Sequence, residues 1–381
     1  MSEIIVECGV AETRGARLVD GESTDLWTGP APGQEAVDSI WRKGDLACGR
    51  ITAVHGDQLF VDLGQGRVGY LNTPLSAPPE GALINVVVKR PAFADKSVSL
   101  NFQGLARQSA KIGAMAPPAP APLQALRDLE FDPGTETIKL DLWARRQLEA
   151  SAASDIISGR IEAKTIETPH AFDIWFEQLF ARQLPLAGGG AITIDENEAL
   201  TAIDVDSGAA RTRNEREVSK VNIAASNAIS SELRRRRIGG LVVIDFLRMR
   251  RDQRSMVVSA LHSRRLAPQH LDWSKNGLLS FSLPRTGPSF LDMACETGVD
   301  DPIPGRRYSL GWRAKSLLRR LERRLATDLS VRFACSLGDE LSAYIDARED
   351  WRDGLIARHG DRVQFITDAN KESRSYEFSE Q

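Results

Sequence analysis

The stretch that most constrains this chain of 381 residues runs from position 191 to 245. It opens with AITIDENEALTAIDVDSGAA, two apolar-alternating runs around a polar turn at Asp195, Glu196 and Asn197, which predicts a hairpin. In the second run Leu200, Ala202, Asp204 and Asp206 share one face, opposite Thr201, Ile203 and Val205. A helix is predicted next. Asn214 and Glu217 form a capping-box pattern, Val218, Val221, Ala225, Ile229 and Leu233 supply an apolar stripe, and Gly239–Gly240 reads as its stop. LVVIDF then reads as a buried strand ending in one acid, Asp245, where an unpaired charge is expensive. Strand–helix–strand with acids at both strand ends is where α/β folds place ligands. Carboxylates arriving from two strand ends suit Mg²⁺, which takes one or two of them and completes its shell with water and phosphate oxygens. Such a cation would polarise a phosphodiester and lower the pKa of an attacking water.

Eight arginines fall within 21 residues around Asp245: Arg234, Arg235, Arg236 and Arg237 before it, Arg248, Arg250, Arg251 and Arg254 after it. Their density fits a polyphosphate ligand, and it fits a solvated helix face or a salt-bridge network equally well. Lys plus Arg number 49 against 52 Asp plus Glu, so any polyanion-binding surface must be local. With 42% apolar and 27% charged residues the chain is neither disordered, collagen-like nor a coiled coil. No apolar run reaches membrane-span length and MSEIIVECGV lacks a signal-peptide pattern, so a cytoplasmic protein with no membrane partner is expected. Cys8, Cys48, Cys295 and Cys335 are scattered without a CxxC pair, which gives neither a disulfide framework nor a zinc motif. There is no Walker A loop or GxGxxG fingerprint to support an NTP-binding enzyme.

Elsewhere, GAMAPPAPAP (113–122) and ETGVDDPIPGRR (296–307) read as linkers, and IIVECGV and ARLVDG as strands followed by a loop around TGPAPGQ. Five β-runs in under 60 residues from Gly44 (CGRITAVHG, DQLFVDLG, GRVGYLN, ALINVVVKRP, KSVSLNF) predict a small closed barrel of the OB type. Phe60 and Tyr70 are either its core or a surface stacking pair with Lys96 nearby. Helices are predicted near 141–153 and 171–184. In the latter Phe172, Trp175, Phe176, Leu179 and Phe180 fall at core spacing. Arg313, Lys315, Arg319, Arg320, Arg323 and Arg324 make a basic C-terminal helix whose default reading is a solvated face.

EALTAIDVDSG, then Asp245 in RRIGGLVVIDF 41 residues beyond Asp204, then NGLLSFSLPRTGPS strongly resemble the catalytic core of the ribonuclease E/G family. AETRGARLVDG, LFVDLGQGRVGYLN and the C-terminal helix-plus-strands segment resemble the same family in the same order, with a break at about 103–160. The resemblance implies an α+β and α/β multidomain fold. It consists of an RNase H-like subdomain (1–43 plus 123–187), an inserted OB-fold barrel (44–102), a Pro/Ala-rich linker in place of the 5′-sensor region (103–122), a DNase I-like catalytic subdomain (188–295) and a small C-terminal α/β domain (306–381).

Functionally the resemblance implies an endoribonuclease that uses Mg²⁺, with Mn²⁺ as a substitute, and cuts single-stranded RNA to 5′-phosphate and 3′-hydroxyl ends. Asp204 and Asp245 match the metal ligands. Asp206 stands where the family has an orienting asparagine, and Phe60, Tyr70, Lys96, Lys275 and Arg285 match RNA contacts. Lys275 replaces an arginine of the 5′-phosphate pocket and no Arg-Thr sensor pair is found, so 5′-end sensing is expected to be weak or absent. Only Cys295 remains of the family's CPxC zinc link, so a structural zinc and a zinc-linked dimer are not expected, while a homodimer stays open. The basic helix would be a second RNA contact or a dimer-facing surface. With no charged tail before Gln381, a degradosome-like scaffold role is not expected. The alternative is an RNA-binding relative that has lost cleavage.

Overall fold

In the computed structural model, which describes residues 2–32, 34, 41–72, 78–92, 96–116, 119–151, 172–208, 215–262, 266–298, 302–303 and 305–381, Asp20 and Gly21 both take positive φ, 52° and 85°. That is the geometry of a two-residue hairpin turn matched to strand twist. It joins Thr13–Val19 to Glu22–Gly29, a strand whose last residues, Thr28 and Gly29, fall in the loop expected around TGPAPGQ. Ser2–Cys8 completes the meander, and Glu136–Leu140, from beyond the barrel, pairs parallel to it. Both faces of this sheet are covered. Ile4 and Val6 pack under the helices Ala121–Asp128 and Leu142–Glu149; Ile5 and Ala16 pack under Phe172–Gln178. Phe172, Phe176, Leu179 and Phe180 are buried with Phe290 and Trp312, so the aromatic stripe is core. The helix ends at Gln178, short of the expected 184, because Gln183–Pro185 joins another sheet as its edge strand.

The barrel strands are Leu46–His55, Gln58–Asp62, Val68–Asn72, Leu83–Arg90 and Val98–Leu105. They close because Leu46–His55 pairs with both Leu83–Arg90 and Gln58–Asp62. Inward residues such as Ile51, Leu59, Val61, Leu71, Val86 and Leu100 fill the interior, as alternation requires. The five-stranded closed barrel is consistent with an OB-fold.

Two expectations are corrected here. Gly113–Ala114 adds a short strand to the barrel, and Pro122 sits in the first turn of Ala121–Asp128, where a missing N–H costs no helical bond. The proline-rich stretch is therefore anchored at both ends rather than being a plain linker. Likewise Cys295–Thr297, Pro302–Ile303 and Arg306–Tyr308 form a three-stranded sheet inside the second expected linker.

At the C-terminus Ser309 caps the helix Leu310–Thr327, its Oγ accepting from Trp312 N at 3.2 Å. The strands Phe333–Leu337, Val363–Thr367 and Tyr376–Glu380 and the helices Asp339–Asp346 and Glu349–His359 close a core that also takes in Val10 and Ala11. The basic helix is a solvated face only in part: Arg320, Arg323 and Arg324 stay partly exposed, and Arg319 does not. Arg319 is buried on Glu12 at 2.7 Å, Arg323 meets Asp173 at 2.9 Å, Arg320 pairs with Glu177, and Arg324 lies over the Phe378 ring. Arg319, Arg320 and Arg323 tie the C-terminal segment to earlier parts of the chain, while Arg324 packs within it. No described helix is long and apolar enough to cross a membrane.

His359, which closes the helix Glu349–His359, is partly buried. Burial first, then Arg358 and Arg362, push its imidazole down to about 4. An unfolded histidine titrates near 6.5, so between these values the unfolded chain binds the extra proton. The stability linked to His359 is thus fully present above about pH 6.5 and is lost as pH falls through 4. In His359→Gln, the loss of unfolding free energy between pH 7 and pH 4 is expected to shrink by about 2 kcal/mol, discounted for partial exposure. Urea titrations at the two pH values check it; an unchanged difference rejects it.

Candidate active site

The six-stranded sheet that carries the acids has the order Gln183–Pro185, Ala191–Glu196, Thr201–Asp206, Gly240–Asp245, Leu279–Leu283, Gln269–Trp273. Ile192, Ile203, Val205, Val242, Ile244 and Phe281 point to one face. They pack under Val221, Ala225, Ile229 and Leu233 of the helix Glu215–Arg235 and under Val257 and Leu261 of Arg254–His262. Each fully buried side chain of this kind contributes about 1.5–3 kcal/mol, which fixes the register firmly. Strict alternation then turns Asp204, Asp206 and Asp245 to the opposite, solvent-facing side.

Thr201–Asp206 and Gly240–Asp245 are parallel neighbours, and Asp204 is the register partner of Asp245. Adjacent strands lie about 4.8 Å apart, so the two carboxylates project side by side. The connecting helix makes this parallel pairing reachable. Asn214, the expected cap residue, lies outside the described residues; the stop is described, and it is not Gly239–Gly240. Arg237 takes φ 57°, its N–H donates to Arg234 O, and Ile238 N–H donates to Leu233 O. That pair of bonds is a Schellman motif with an arginine in the left-handed position, sealed by the buried Ile238–Leu233 contact. A left-handed conformation costs a non-glycine residue roughly 1–2 kcal/mol.

Asp206 is exposed on the same face, and its Oδ1 accepts from Gly208 N at 2.9 Å, closing the turn out of the strand. An asparagine Oδ1 would accept the same bond. Thr193 pairs with Asp204 from the other side, so Thr193, Asp204 and Asp245 form one row across three strands. Asp195 is drawn away by a bidentate pair with Arg182 at 2.5 and 2.9 Å, which holds its carboxyl below the usual range.

Asn222 was missed from sequence, where it reads as one polar residue on a long helix. Fully buried, it donates Nδ2 to Leu247 O at 2.9 Å and accepts from Leu247 N at 3.2 Å, pinning the chain just beyond Asp245. From that pinned point run the exposed Arg248, Arg250 and Arg251 and then Arg254, whose guanidinium lies 4.5 Å from the Trp273 ring centroid. Lys275, exposed in the turn between Gln269–Trp273 and Leu279–Leu283, sits at the same end of the sheet, since Ile244 pairs with Leu279.

The other half of the arginine cluster lies elsewhere. Arg234 pairs with Asp25 at 2.5 Å, and Arg235 and Arg236 pair with Glu232 at 2.8 and 2.9 Å. They precede Gly240, against which Arg285 packs, at the far end of the strand from Asp245; five residue steps separate the ends, about 16 Å. Only the second arginine group accompanies the acids.

On the barrel, Phe60 and Tyr70 are register partners whose rings face outward, while Leu59, Val61 and Leu71 fill the core. His55 meets Phe60 edge-on at 5.6 Å. Arg90 donates to the Tyr70 hydroxyl at 3.3 Å, and this bond leads the effects that hold the phenol below its ordinary value, the exposed Lys96 adding to it. Cys295 is buried beside Phe290 and Leu291. Among the described residues no group of three or more His, Cys, Asp or Glu is placed to share a metal.

Fold and site together define a mixed α/β protein with paired carboxylates at parallel strand ends, a cationic loop beside them and an aromatic-faced barrel. Residues 142–285 match the model of the Ribonuclease E/G family. Ribonuclease E of Escherichia coli K12 is 36% identical over 157 residues, 38% of this chain and 15% of that protein. Ribonuclease G of the same strain is 34% identical over 110 residues, covering 28% and 22%. A Ribonuclease E/G-like chloroplastic protein of Arabidopsis thaliana is 31% identical over 129 residues, covering 32% and 13%. The chain thus matches less than a quarter of the length of each of these relatives.

Proposed function

We propose that this chain is an endoribonuclease that hydrolyses single-stranded RNA with a divalent cation, Mg²⁺ first, held by Asp204 and Asp245. The observation that carries the reading is their register pairing on the open face of the sheet, in a segment that matches a ribonuclease family model. Two adjacent carboxylates are a donor set that fits a hard oxygen-seeking cation with room for water and phosphate ligands. When bound, the cation polarises the scissile phosphate and acidifies an attacking water.

The chain's own residues do the rest. Arg248, Arg251 and Lys275 offset phosphate charge beside the acids, Asp206 shapes the turn bordering them, and Asn222 holds the loop in place. Phe60 and Tyr70 offer stacking faces to unpaired bases, with Lys96 for the backbone between them. The same reading gives 5′-phosphate and 3′-hydroxyl products, no preference for a 5′-monophosphate end, and RNase H-like and DNase I-like relationships for the two large sheets.

Incubating the protein with a 5′-labelled A/U-rich RNA, bearing a monophosphate or a hydroxyl, in Mg²⁺ or EDTA tests this directly. Mg²⁺-dependent cutting at equal rates on both ends is expected. Binding without cutting rejects the catalytic reading and leaves an RNA-binding relative. Phe60→Ala and Tyr70→Ala should each weaken RNA binding by about 5- to 150-fold, a lost base stack being worth about 1–3 kcal/mol. Fluorescence anisotropy reads this, and affinities within twofold of wild type would remove the barrel from the RNA path.

A further inference from the structure

A cleft of about 700 Å³ opens at the far end of the catalytic sheet, between the N-terminal sheet, the barrel's entry segment and the C-terminal helix. Its size lies in the range of small-ligand sites, about 300–1,000 Å³. Part of its wall is apolar, from Leu26, Ile238, Leu266 and Leu283, and five cations reach it: Arg42, Lys43, Arg234, Arg237 and Lys315. The carboxylates lining it are already engaged. Asp25 binds Arg17 and Arg234, Asp128 accepts from Trp27 Nε1 at 2.8 Å and Gln124 Nε2 at 3.3 Å, and Glu130 lies 3.9 Å from Lys43.

Two groups in this cleft are left unsatisfied among the described residues. The Arg237 guanidinium forms no ion pair: burial pushes it below the ordinary arginine value, and Asp128 opposes this only from beyond ion-pair distance. Gln124 is 1% exposed and its Nε2 is spent on Lys43 O and Asp128, which leaves Oε1 buried with no donor. Arg237 also occupies the left-handed end of its helix, a position that glycine would hold without strain, with Gly239 and Gly240 immediately beyond. Gly287 completes the cradle, since a Cβ there would come within 3.2 Å of Arg237 Nη2.

We infer that this cleft is a nucleotide-phosphate site: Arg237 takes the phosphate, and Gln124 Oε1 accepts from a ribose hydroxyl or a base amino group. An arginine fork matches phosphate oxygens in pairs, and Arg237, half-buried in the cleft wall, carries no carboxylate on its fork among the described residues. The phosphate belongs either to a free mononucleotide or to an RNA chain. The site is set apart from Asp204 and Asp245 by the length of a strand and stands independently of whether they cut.

Titration calorimetry in EDTA, with AMP, with the hydroxyl-ended dinucleotide ApA and with adenosine, tests it without the metal site. AMP or ApA is expected to bind at least about tenfold more tightly than adenosine, and Arg237→Gly to lose at least about tenfold for that ligand, the worth of one charge-assisted contact. Binding of AMP alone assigns a terminal phosphate and a free nucleotide; binding of ApA assigns the internal phosphate of an RNA chain. Because glycine relieves the left-handed strain, the variant should melt at or above the wild-type temperature, so lost binding is not lost folding. Failure of both phosphorylated ligands to exceed adenosine, or affinities in Arg237→Gly equal to wild type, overturns the inference.

Discussion

Asp245→Asn should abolish Mg²⁺-dependent RNA cleavage while leaving RNA affinity within about threefold of wild type. The asparagine keeps the shape of the side chain and removes the charge proposed to hold a cation opposite Asp204, its register partner. Losing stabilisation worth several kcal/mol of developing phosphate charge corresponds to at least about a thousandfold in kcat/KM. Asp204→Asn should do the same, and the double variant should cost little more than either single one, since in the proposed site both act through one ion. Both carboxylates are exposed on the open face of the sheet, so unfolding free energies should stay within about 0.5 kcal/mol. Single-turnover cleavage with matched anisotropy measurements separates the effects. An Asp245→Asn protein that still cuts within tenfold of wild type would place the chemistry elsewhere.

Arg319→Met should be the most destabilising single change among the described ion pairs, at about 3–5 kcal/mol. Arg319 and Glu12 are 3% and 2% exposed and meet at 2.7 Å, with the guanidinium also 5.0 and 4.9 Å from the ring centroids of Phe176 and Trp312. Burial alone would raise the Glu12 carboxyl; Arg319 first, then Lys315 and Arg14, outweigh it and hold it at about 2. Its contribution is therefore present above the unfolded value near 4.3 and lost as pH falls through 2. Methionine strands a buried carboxylate whose second oxygen keeps only the Thr28 hydroxyl at 2.9 Å. Glu12→Leu combined with Arg319→Met should recover most of the loss, because neither partner of the pair is then left as a buried charge. Chemical denaturation at pH 7 decides it, and a single-variant loss below 1 kcal/mol would show the pair to be far better solvated than its burial implies.

Those arginines also show where sequence reading stops. The acids were legible because period-two alternation and a strand ending in Asp245 are local signals. That Asp204 and Asp245 share a register was not, since it depends on how a 21-residue helix sets one strand against another. The basic helix was read as solvated because Glu12, Glu177 and Asp173 lie 307, 143 and 150 residues away from the arginines they meet. Arg237 ended its helix ahead of two glycines for a similar reason: the buried Ile238–Leu233 contact, not backbone propensity, selects the stopping point. The outward turn of Phe60 and Tyr70 had two readings in one dimension. Barrel closure, which puts Leu59, Val61 and Leu71 inside, selects one of them.

The Glu12–Arg319 pair also imposes an order on the birth of the molecule. Its halves are separated by 307 residues. At about 5–20 residues per second a ribosome takes on the order of 15–60 s to deliver the second after the first. During that interval the N-terminal sheet stands without its counter-charge and without the helix that covers Val10 and Ala11. The barrel, whose strands pair among themselves between residues 46 and 105, has no such wait. A nascent chain therefore presents its aromatic-faced module early and completes the surrounding body only when residues 310–381 emerge, so truncations before residue 310 should yield a folded barrel on an unfinished base.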